Sequence, residues 1–327
     1  MTDDGREKQR LPLGINRNIN GYRMTTVIDK HVSISLLRGI CQMPAYVAYE
    51  RGYWSELGID VAMTVEATAW LIPNRLLSEE QGFAVMPWTR VAAASVQGEP
   101  LVLVCGSGCD EAAIVVRRGL RPEDVRKVAV PQQGGIKDLT AAAAFPVLGW
   151  KSVETLRFPS GDAAILCLIG GGADAAVMVE PYATLVEQLG LGDVILRTGE
   201  IWSGVPGCSL TTTAQMIDRD PDLVRRMVAG FVRGACEVED DPETSAKIAL
   251  PYIGVAANVI QRALHHNRPD VSALDNDAAM ARVVNLMVEL GYLSQTPSRQ
   301  YKDLTFLREV CSIGQRESRL TSTHGGK

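Results

Sequence analysis

Short apolar runs alternate with longer amphipathic segments along the first part of the chain. The runs at 32–37, 59–65, 83–88 and 100–105 have the length and the β-branched content that are typical of strands. The amphipathic segment at 44–57 has a proline in its first turn and a glycine directly after it, as helices commonly do. This alternation predicts a largely parallel sheet that is covered by helices on both faces.

The same alternation of short apolar runs and amphipathic segments begins again at residue 127. Strands are predicted at 127–132, 153–158 and 173–179, and helices at 136–148 and in the segment that Pro181 opens. From about residue 216 onward the apolar period is helical almost throughout. The sequence therefore predicts an α/β protein with two lobes, mixed and mostly parallel sheets flanked by helices, and a helical C-terminal extension.

The order of these elements predicts a discontinuous first lobe and an inserted second lobe. Lobe I comprises residues 32–114 and 206–312, and lobe II comprises residues 115–205. A polar segment at 1–31 precedes them and a loose, charged tail at 313–327 follows. Two crossings between lobes create a cleft, and we expect the loops after the parallel strands to converge there.

Composition and charge narrow the kind of partner. The chain has 327 residues, 46% of them apolar, which is enough to fill a core in each lobe. Its formal net charge is −5 with acidic and basic residues evenly mixed, so nucleic acid and anionic membrane surfaces are poor partners. No run approaches the ~20 apolar residues of a membrane-spanning helix, so we expect no membrane insertion. A small-molecule ligand fits this composition best.

The N-terminal residues and the cysteines bear on location. Residues 1–24 contain no apolar run of the ~7–15 residues that a secretory signal needs. For the chain as written this predicts the cytoplasm, with the periplasm reached only by an unrecognised route. Seven cysteines without a regular spacing are typical of reduced thiols. They do not have the spacing of a metal site, so we expect no metal and no cofactor.

Four segments of the chain resemble a known family. The segments are MPAYVAYERGYWSELGIDV, VAVPQQGGIKDLTAAAAFPVLGW, GGADAAVMVEPYATLVEQLG and MIDRDPDLVRRMVAGFVRGA. Together they resemble type 2 periplasmic-binding proteins, in the group that contains sulfonate- and taurine-binding proteins and NMT1/THI5-like proteins. The resemblance spans about residues 32 to 290. It implies the type 2 two-lobe fold, hinge closure over an anionic or heteroaromatic small molecule, and an ABC permease as partner.

The predicted ligand-binding residues lie in the loops of these segments. In VPQQGGIKDLT a glycine pair stands between a strand and a helix, where backbone N–H groups can bind an anion; the alternative is that the glycines only form a tight turn. The resemblance also places the RGICQMP loop and the EP dipeptide at the cleft, and the tryptophan of MPWTR either stacks on a ligand ring or packs in the core. The predicted ligand-binding set is Gln42, Met43, Trp88, Gln133, Gly134, Gly135, Ile136, Lys137, Glu180 and Cys208.

A cysteine in the first loop raises a second hypothesis. Aromatic sulfinate desulfinases share this fold, and they use a cleft cysteine before a proline-led helix together with an arginine in a TR dipeptide. Cys41 precedes QMPAYVAYERGY and Arg90 lies in MPWTRVAAA, so the resemblance implies a cytoplasmic desulfinase- or hydrolase-like enzyme. We expect Arg90 to lower the pKa of the Cys41 thiol in that case. The segment RLLSEEQGFAVMPWTR lacks the histidine of those enzymes.

Two further interpretations stay open. The simpler interpretation is that Cys41 is a small, buried residue that lines a pocket, as free cysteines often do. A cytosolic sensor or dedicated carrier is a third functional class for the same fold.

Overall fold

The computed structural model describes residues 27–131 and 133–312. The predicted tail at 313–327 and nearly all of the predicted polar segment at 1–31 lie outside the described residues. The strands of the described residues form two five-stranded sheets. We call the first sheet with its helices the first lobe, and the second sheet with its helices the second lobe.

Strands that precede and follow the second sheet in the chain build the first sheet. They are β1 (Lys30–Leu36), β2 (Ile59–Val65), β3 (Phe83–Pro87), β4 (Leu101–Gly106) and β10 (Cys208–Thr213), in the spatial order β2-β1-β3-β10-β4. Four of them run parallel, and β10 is antiparallel to both of its neighbours. β3 and β4 are buried throughout, as expected for strands with helices on both faces.

The second sheet repeats this arrangement. It contains β5 (Ala112–Arg117), β6 (Lys127–Pro131), β7 (Glu154–Phe158), β8 (Ala175–Val179) and β9 (Gly192–Arg197), in the order β7-β6-β8-β5-β9. β5 is antiparallel to β8 and β9. β5 and β10 follow the two crossings between the sheets, and the sequence did not predict them as strands. β5 as a whole pairs in the second sheet. The lobe boundaries at 114/115 and 205/206 stay a prediction.

The helices cover both sheets. They are α1 (Met43–Glu50), α2 (Tyr53–Glu56), α3 (Ile72–Leu77), α4 (Trp88–Val96), α5 (Ile136–Val147), α6 (Gly161–Ile169), α7 (Tyr182–Gln188), α8 (Thr198–Ile201), α9 (Ala214–Arg219), α10 (Pro221–Asp240), α11 (Pro242–Ile253), α12 (Ala257–Ala263), α13 (Asp277–Glu289) and α14 (305–312). The single helix predicted at 44–57 is wrong, because Gly52 adopts a left-handed φ of 70° and divides it into α1 and α2. None of the described helices is long and apolar enough to cross a membrane.

Helix α10 joins the C-terminal extension to the first lobe. Asp220 caps its start by accepting a hydrogen bond from the backbone N–H of Leu223. Its apolar side packs in the same core as α1 and the first sheet. Two of its glycines face neighbouring elements so closely that a Cβ on Gly230 would overlap Trp54, and one on Gly234 would overlap the carbonyl oxygen of Pro44. The helical extension predicted from the sequence is therefore an integral part of the first lobe's core.

Candidate ligand-binding site

A cavity of about 80 Å³ lies where loops of the two lobes meet. The first lobe and the crossings contribute Leu37, Arg38, Gly39, Cys41, Gln42, Glu66, Ala67, Pro87, Arg90, Glu111 and Cys208. The second lobe contributes Gly135, Ile136, Lys137, Gly161, Asp162, Ile165, Met178, Val179 and Tyr182. Most of these residues follow the carboxyl ends of strands, which is where open α/β sheets bind their ligands.

Two thiols and one carboxylate meet at one end of this cavity. Cys41 lies in the 3-10 turn between β1 and α1, Glu111 directly precedes β5, and Cys208 is the first residue of β10. The two Sγ atoms and a carboxylate oxygen lie within 4.8 Å of one another, and all three residues are buried. The Sγ of Cys208 is 3.8 Å from Oε1 of Glu111, and Nε2 of Gln42 is 3.3 Å from the Sγ of Cys41. We call Cys41, Glu111 and Cys208 the thiol–carboxylate cluster.

Burial determines the protonation of the thiols. A hydrogen bond with Cys208 lowers the pKa of Cys41, but burial and the nearby Glu111 carboxylate raise it more, so the pKa of Cys41 is above its ordinary value. The hydrogen bond with Cys41 and burial raise the pKa of Cys208 well above its ordinary value. The expectation of a lowered pKa for Cys41 is wrong, because burial and the Glu111 carboxylate outweigh the groups that lower it.

The other ionisable groups of this end of the cavity are also shifted by burial. Burial raises the pKa of Glu111, and the thiols and Lys137 oppose that shift. Burial lowers the pKa of Lys137, although Glu111 opposes the change. Both shifts disfavour the charged forms, so this end of the cavity is a low-dielectric environment.

Arg90 lines the cavity from the first turn of α4. Its guanidinium carbon lies 3.5 Å above the ring of Trp70, and Nη2 donates a 3.0 Å hydrogen bond to the carbonyl oxygen of Gln133 in the second lobe. The Nε atom is buried and has no hydrogen-bond partner among the described residues. Burial lowers the pKa of Arg90 to about 10 while the Asp138 carboxylate raises it, so the side chain is cationic at neutral pH.

The N-terminus of α5 forms the second-lobe wall. Gly135 is its N-cap residue, and Gly135, Ile136 and Lys137 all line the cavity. The first N–H groups of a helix lack partners within the helix and carry the positive end of its dipole. Gly134 instead adopts a left-handed φ of 73°, and its N–H donates a 2.8 Å hydrogen bond to Asp138. The two glycines therefore differ, since Gly134 makes the turn and Gly135 reaches the cavity.

Sequence and structure comparisons agree with this architecture. The model of the NMT1-like family matches residues 28–251. The chain belongs to the NMT1-like family. No curated protein is significantly similar to it in sequence.

Solved structures with the same fold include three binding components of import systems. The ligand-binding component of an ABC-type import system from Staphylococcus aureus, solved with zinc bound, is 12% identical with a TM-score of 0.77, over 86% of this chain and 99% of that one. The periplasmic nitrate-binding protein NrtA from Synechocystis PCC 6803 is 15% identical with a TM-score of 0.72, over 88% and 89%. The aliphatic sulphonate binding protein SsuA from Escherichia coli is 16% identical with a TM-score of 0.67, over 82% and 95%. These likenesses show that this NMT1-like protein has the type 2 periplasmic-binding-protein fold.

The structure brings together seven of the sequence-predicted site residues at the cavity. They are Cys41, Gln42, Arg90, Gly135, Ile136, Lys137 and Cys208. Among the others, Met43 is fully buried in the first lobe's core, and Trp88 is fully buried with its indole N–H donating to the carbonyl oxygen of Pro206 at 2.8 Å. The side chain of Gln133 is exposed at the surface. Glu180 is buried beside the cavity and forms a 2.5 Å ion pair with Arg197.

The sequence did not predict five charged or aromatic residues that line the cavity of this NMT1-like protein. They are Arg38, Glu66, Glu111, Asp162 and Tyr182. Arg38, Glu66 and Asp162 follow β1, β2 and β7, so the rule that loops after parallel strands converge could have found them. Glu111 could not be found in this way, because it precedes β5, and that strand was not predicted.

Proposed function

We propose that this protein binds a small anionic solute in the cavity between its lobes and acts as the substrate-binding component of an ABC-type importer. The observation that carries the proposal is Arg90. It is a cation at the cavity wall, its Nε is buried without a partner, and no carboxylate within the described residues forms an ion pair with it. The nearby Asp138 carboxylate is already paired with Arg157, so an anionic ligand would supply the direct counter-charge that Arg90 lacks.

The other charged residues of the lining are balanced by their neighbours. Glu66 forms a 2.5 Å ion pair with Arg75, and Arg38 lies 3.8 Å from Asp162 across the cleft. Lys137 lies within electrostatic range of Glu111, and each opposes the other's pKa shift. Arg90 therefore contributes the net positive charge, and the N-terminus of α5 adds its partial positive charge from the other lobe.

An inorganic oxyanion or a short carboxylate or sulfonate would supply the negative charge that this lining lacks. The structural neighbours named for nitrate and for aliphatic sulphonates bind ligands of this class, which supports the proposal by analogy. A heteroaromatic ligand has less support, because Trp88 packs in the core and Tyr182 is the aromatic residue at the wall.

The desulfinase-like alternative gains no support from the site. Its nucleophile would have to be a thiolate, whereas the pKa of Cys41 is raised. A permease is the proposed partner. This role requires the protein to be outside the cytoplasm, by the unrecognised export route that the sequence leaves open.

Titration of small anions tests the proposal. Methanesulfonate, acetate and nitrate are compared with neutral acetamide at constant ionic strength, by calorimetry and by the unfolding temperature Tm. We expect at least one anion to bind saturably and to raise Tm, because a ligand at a hundred times its Kd stabilises by about 2.7 kcal/mol. Arg90→Gln should weaken that anion by roughly 10- to 100-fold, the value of a charge-assisted hydrogen bond of about 1.5–3 kcal/mol.

Arg118→Gln is the matched control, since Arg118 is an exposed arginine that pairs with Asp193 in the second lobe. It should leave the Kd unchanged. The proposal is wrong if no anion binds better than acetamide, or if Arg90→Gln and Arg118→Gln bind the anion equally well.

A further inference from the structure

The thiol–carboxylate cluster combines two ligand types that a borderline-soft divalent cation such as Zn²⁺ accepts. Thiolate sulfur and carboxylate oxygen are both common zinc ligands, and catalytic or exchangeable zinc sites have three protein ligands and one open position. Cys41, Glu111 and Cys208 offer three such ligands, and no other group of three histidine, cysteine or acidic residues with this geometry occurs among the described residues. All three line the cavity, so a fourth position would face it.

The distances fit one metal ion. Zinc bonds of ~2.3 Å to sulfur and ~2.0–2.2 Å to oxygen in a tetrahedral arrangement place the ligand atoms about 3.5–3.8 Å apart. The Sγ of Cys208 lies 3.8 Å from Oε1 of Glu111, and all three ligand atoms lie within 4.8 Å of one another. The cluster therefore needs only small side-chain movements to surround an ion.

A second observation, independent of the ligand distances, indicates that Glu111 lacks a partner. Its side chain is 3% exposed, and Oε2 has no hydrogen-bond partner in the part of the chain that the structure describes. A buried carboxylate oxygen without a partner is costly. A metal ion at the cluster would satisfy it.

The backbone makes room for this carboxylate. A Cβ at position 207 would overlap the carboxylate of Glu111, so only glycine fits directly before Cys208. The backbones of the two crossings are joined here as well, because the N–H of Gly207 donates a 2.9 Å hydrogen bond to the carbonyl oxygen of Gly108. Glu111 and Cys208 are thus held side by side at the two crossings, and Cys41 reaches them from the loop after β1.

We propose that Cys41, Glu111 and Cys208 bind a single borderline-soft divalent cation such as Zn²⁺, with its fourth position open to the cavity. On binding, each thiol releases its proton to solvent and its sulfur forms a bond to the metal. Two thiolates and one carboxylate carry three negative charges, which Zn²⁺ and the neighbouring Lys137 ammonium balance. The proposed metal ligands do not include Arg90, so metal binding and anion binding can be tested separately.

Metal titration of the full-length protein tests the site. Protein freed of metal by a chelator and kept reduced is titrated with Co²⁺ and then with Zn²⁺, with metal content measured after desalting. We expect one equivalent of metal, a thiolate-to-cobalt charge-transfer band, the visible bands of tetrahedral Co²⁺, and displacement of Co²⁺ by Zn²⁺. Cys41→Ser, Cys208→Ser and Glu111→Gln should each lower zinc affinity by at least about 100-fold, since even outer partners of a metal site contribute 10- to 100-fold.

Cys167→Ser is the matched control, because Cys167 is a half-buried cysteine in α6 outside the cluster. It should keep full metal affinity, and circular dichroism checks that every variant is folded. The inference is overturned if the wild-type protein binds less than one equivalent, if the cobalt spectrum lacks the thiolate band, or if the cluster variants bind zinc as the control does. Anion titrations on metal-free protein distinguish failure of this inference from failure of the proposed solute-binding function.

Discussion

The chain segments that follow β3 and β8, which we call the first-lobe loop and the second-lobe loop, occupy equivalent positions in the two sheets. The charged residue of the first segment lines the cavity, whereas that of the second is paired within its lobe. Both strands stand third in the chain order of their parallel set, next to the antiparallel strand. The first-lobe loop leads to Arg90, which lines the cavity and has no ion-pair partner in the described residues. The second-lobe loop carries Glu180, which is 1% exposed and paired with Arg197.

The difference separates a charge that serves ligand binding from one that serves the fold. Oε1 of Glu180 accepts from Arg197, and Oε2 accepts from the backbone N–H of Thr184, so the carboxylate is satisfied within the second lobe. Arg90 is satisfied only in part, by the carbonyl oxygen of Gln133. We infer that removing a charge partner in the second lobe lowers stability, whereas removing Arg90 lowers affinity.

The substitution Arg197→Met tests the second-lobe half of this comparison and should have the largest effect. Methionine fills a similar volume but leaves the buried Glu180 carboxylate without its counter-charge. We expect a loss of roughly 3–5 kcal/mol in the free energy of unfolding, measured by chemical denaturation. Arg118→Met is the control, because its pair with Asp193 is exposed and should contribute about 0–1 kcal/mol. Equal losses for the two variants would remove the distinction between the two loops.

The substitution Gly234→Ala tests a second feature of the first lobe, the close packing of the long helix α10 against α1. The added Cβ would overlap the carbonyl oxygen of Pro44 and force α10 away from α1. We expect a loss of about 3 kcal/mol, the upper end of the cost of overpacking.

Gly190→Ala in the second lobe is the matched control for this substitution. Gly190 has a left-handed φ of 68° but nothing within 4 Å of a new Cβ, so only the backbone conformation adds a cost, of about 1–2 kcal/mol. Thermal unfolding of both variants gives the comparison. A smaller loss at Gly234 than at Gly190 would mean that α10 and α1 are not held as closely as described.

Hydrophobic periodicity was sufficient to predict most of the fold. The runs at 59–65 and 127–132 became β2 and β6 within a residue at their ends. β6 is almost entirely buried and reads as a continuous apolar run, whereas β2 lies at the edge of its sheet and alternates buried with more exposed residues. β5 and β10 were missed because they break the alternation of strand and helix on which the prediction depended. The segment CSLTTT of β10 also has few large apolar residues, and its burial depends on neighbouring strands that lie far away in the sequence.

Only those site residues that directly follow a predicted parallel strand could be predicted from the sequence. Arg90 and Lys137 follow β3 and β6, so their place at the cleft could be expected from the chain order. The meeting of Cys41 with Glu111 and Cys208 depends on the two crossings, and the residues are separated by 70 and 97 positions in sequence. Neither spacing nor composition brings such residues together; only the antiparallel strands that follow the crossings do.

The smallest expected effect on stability is at Asp220, a partly exposed carboxylate of the first lobe. Its ion pair is more exposed than the pair of Glu180 with Arg197. Asp220 pairs with Lys30 at 2.7 Å while it caps α10. Burial raises the pKa of Asp220, but the hydrogen bonds from Lys30 and Leu223 lower it more, so it lies below its ordinary value of 3.8.

Asp220→Asn keeps a helix-capping acceptor but removes the charge of this pair. We expect a loss below about 1 kcal/mol at pH 7, since both side chains are partly exposed. A carboxyl group whose pKa is lower in the folded state stabilises the protein above its unfolded pKa, and that stabilisation disappears as the pH falls through the folded pKa. The difference in Tm between wild type and variant should therefore shrink below pH 3.8. A difference that grew toward acidic pH would mean that Asp220 is not stabilised by Lys30.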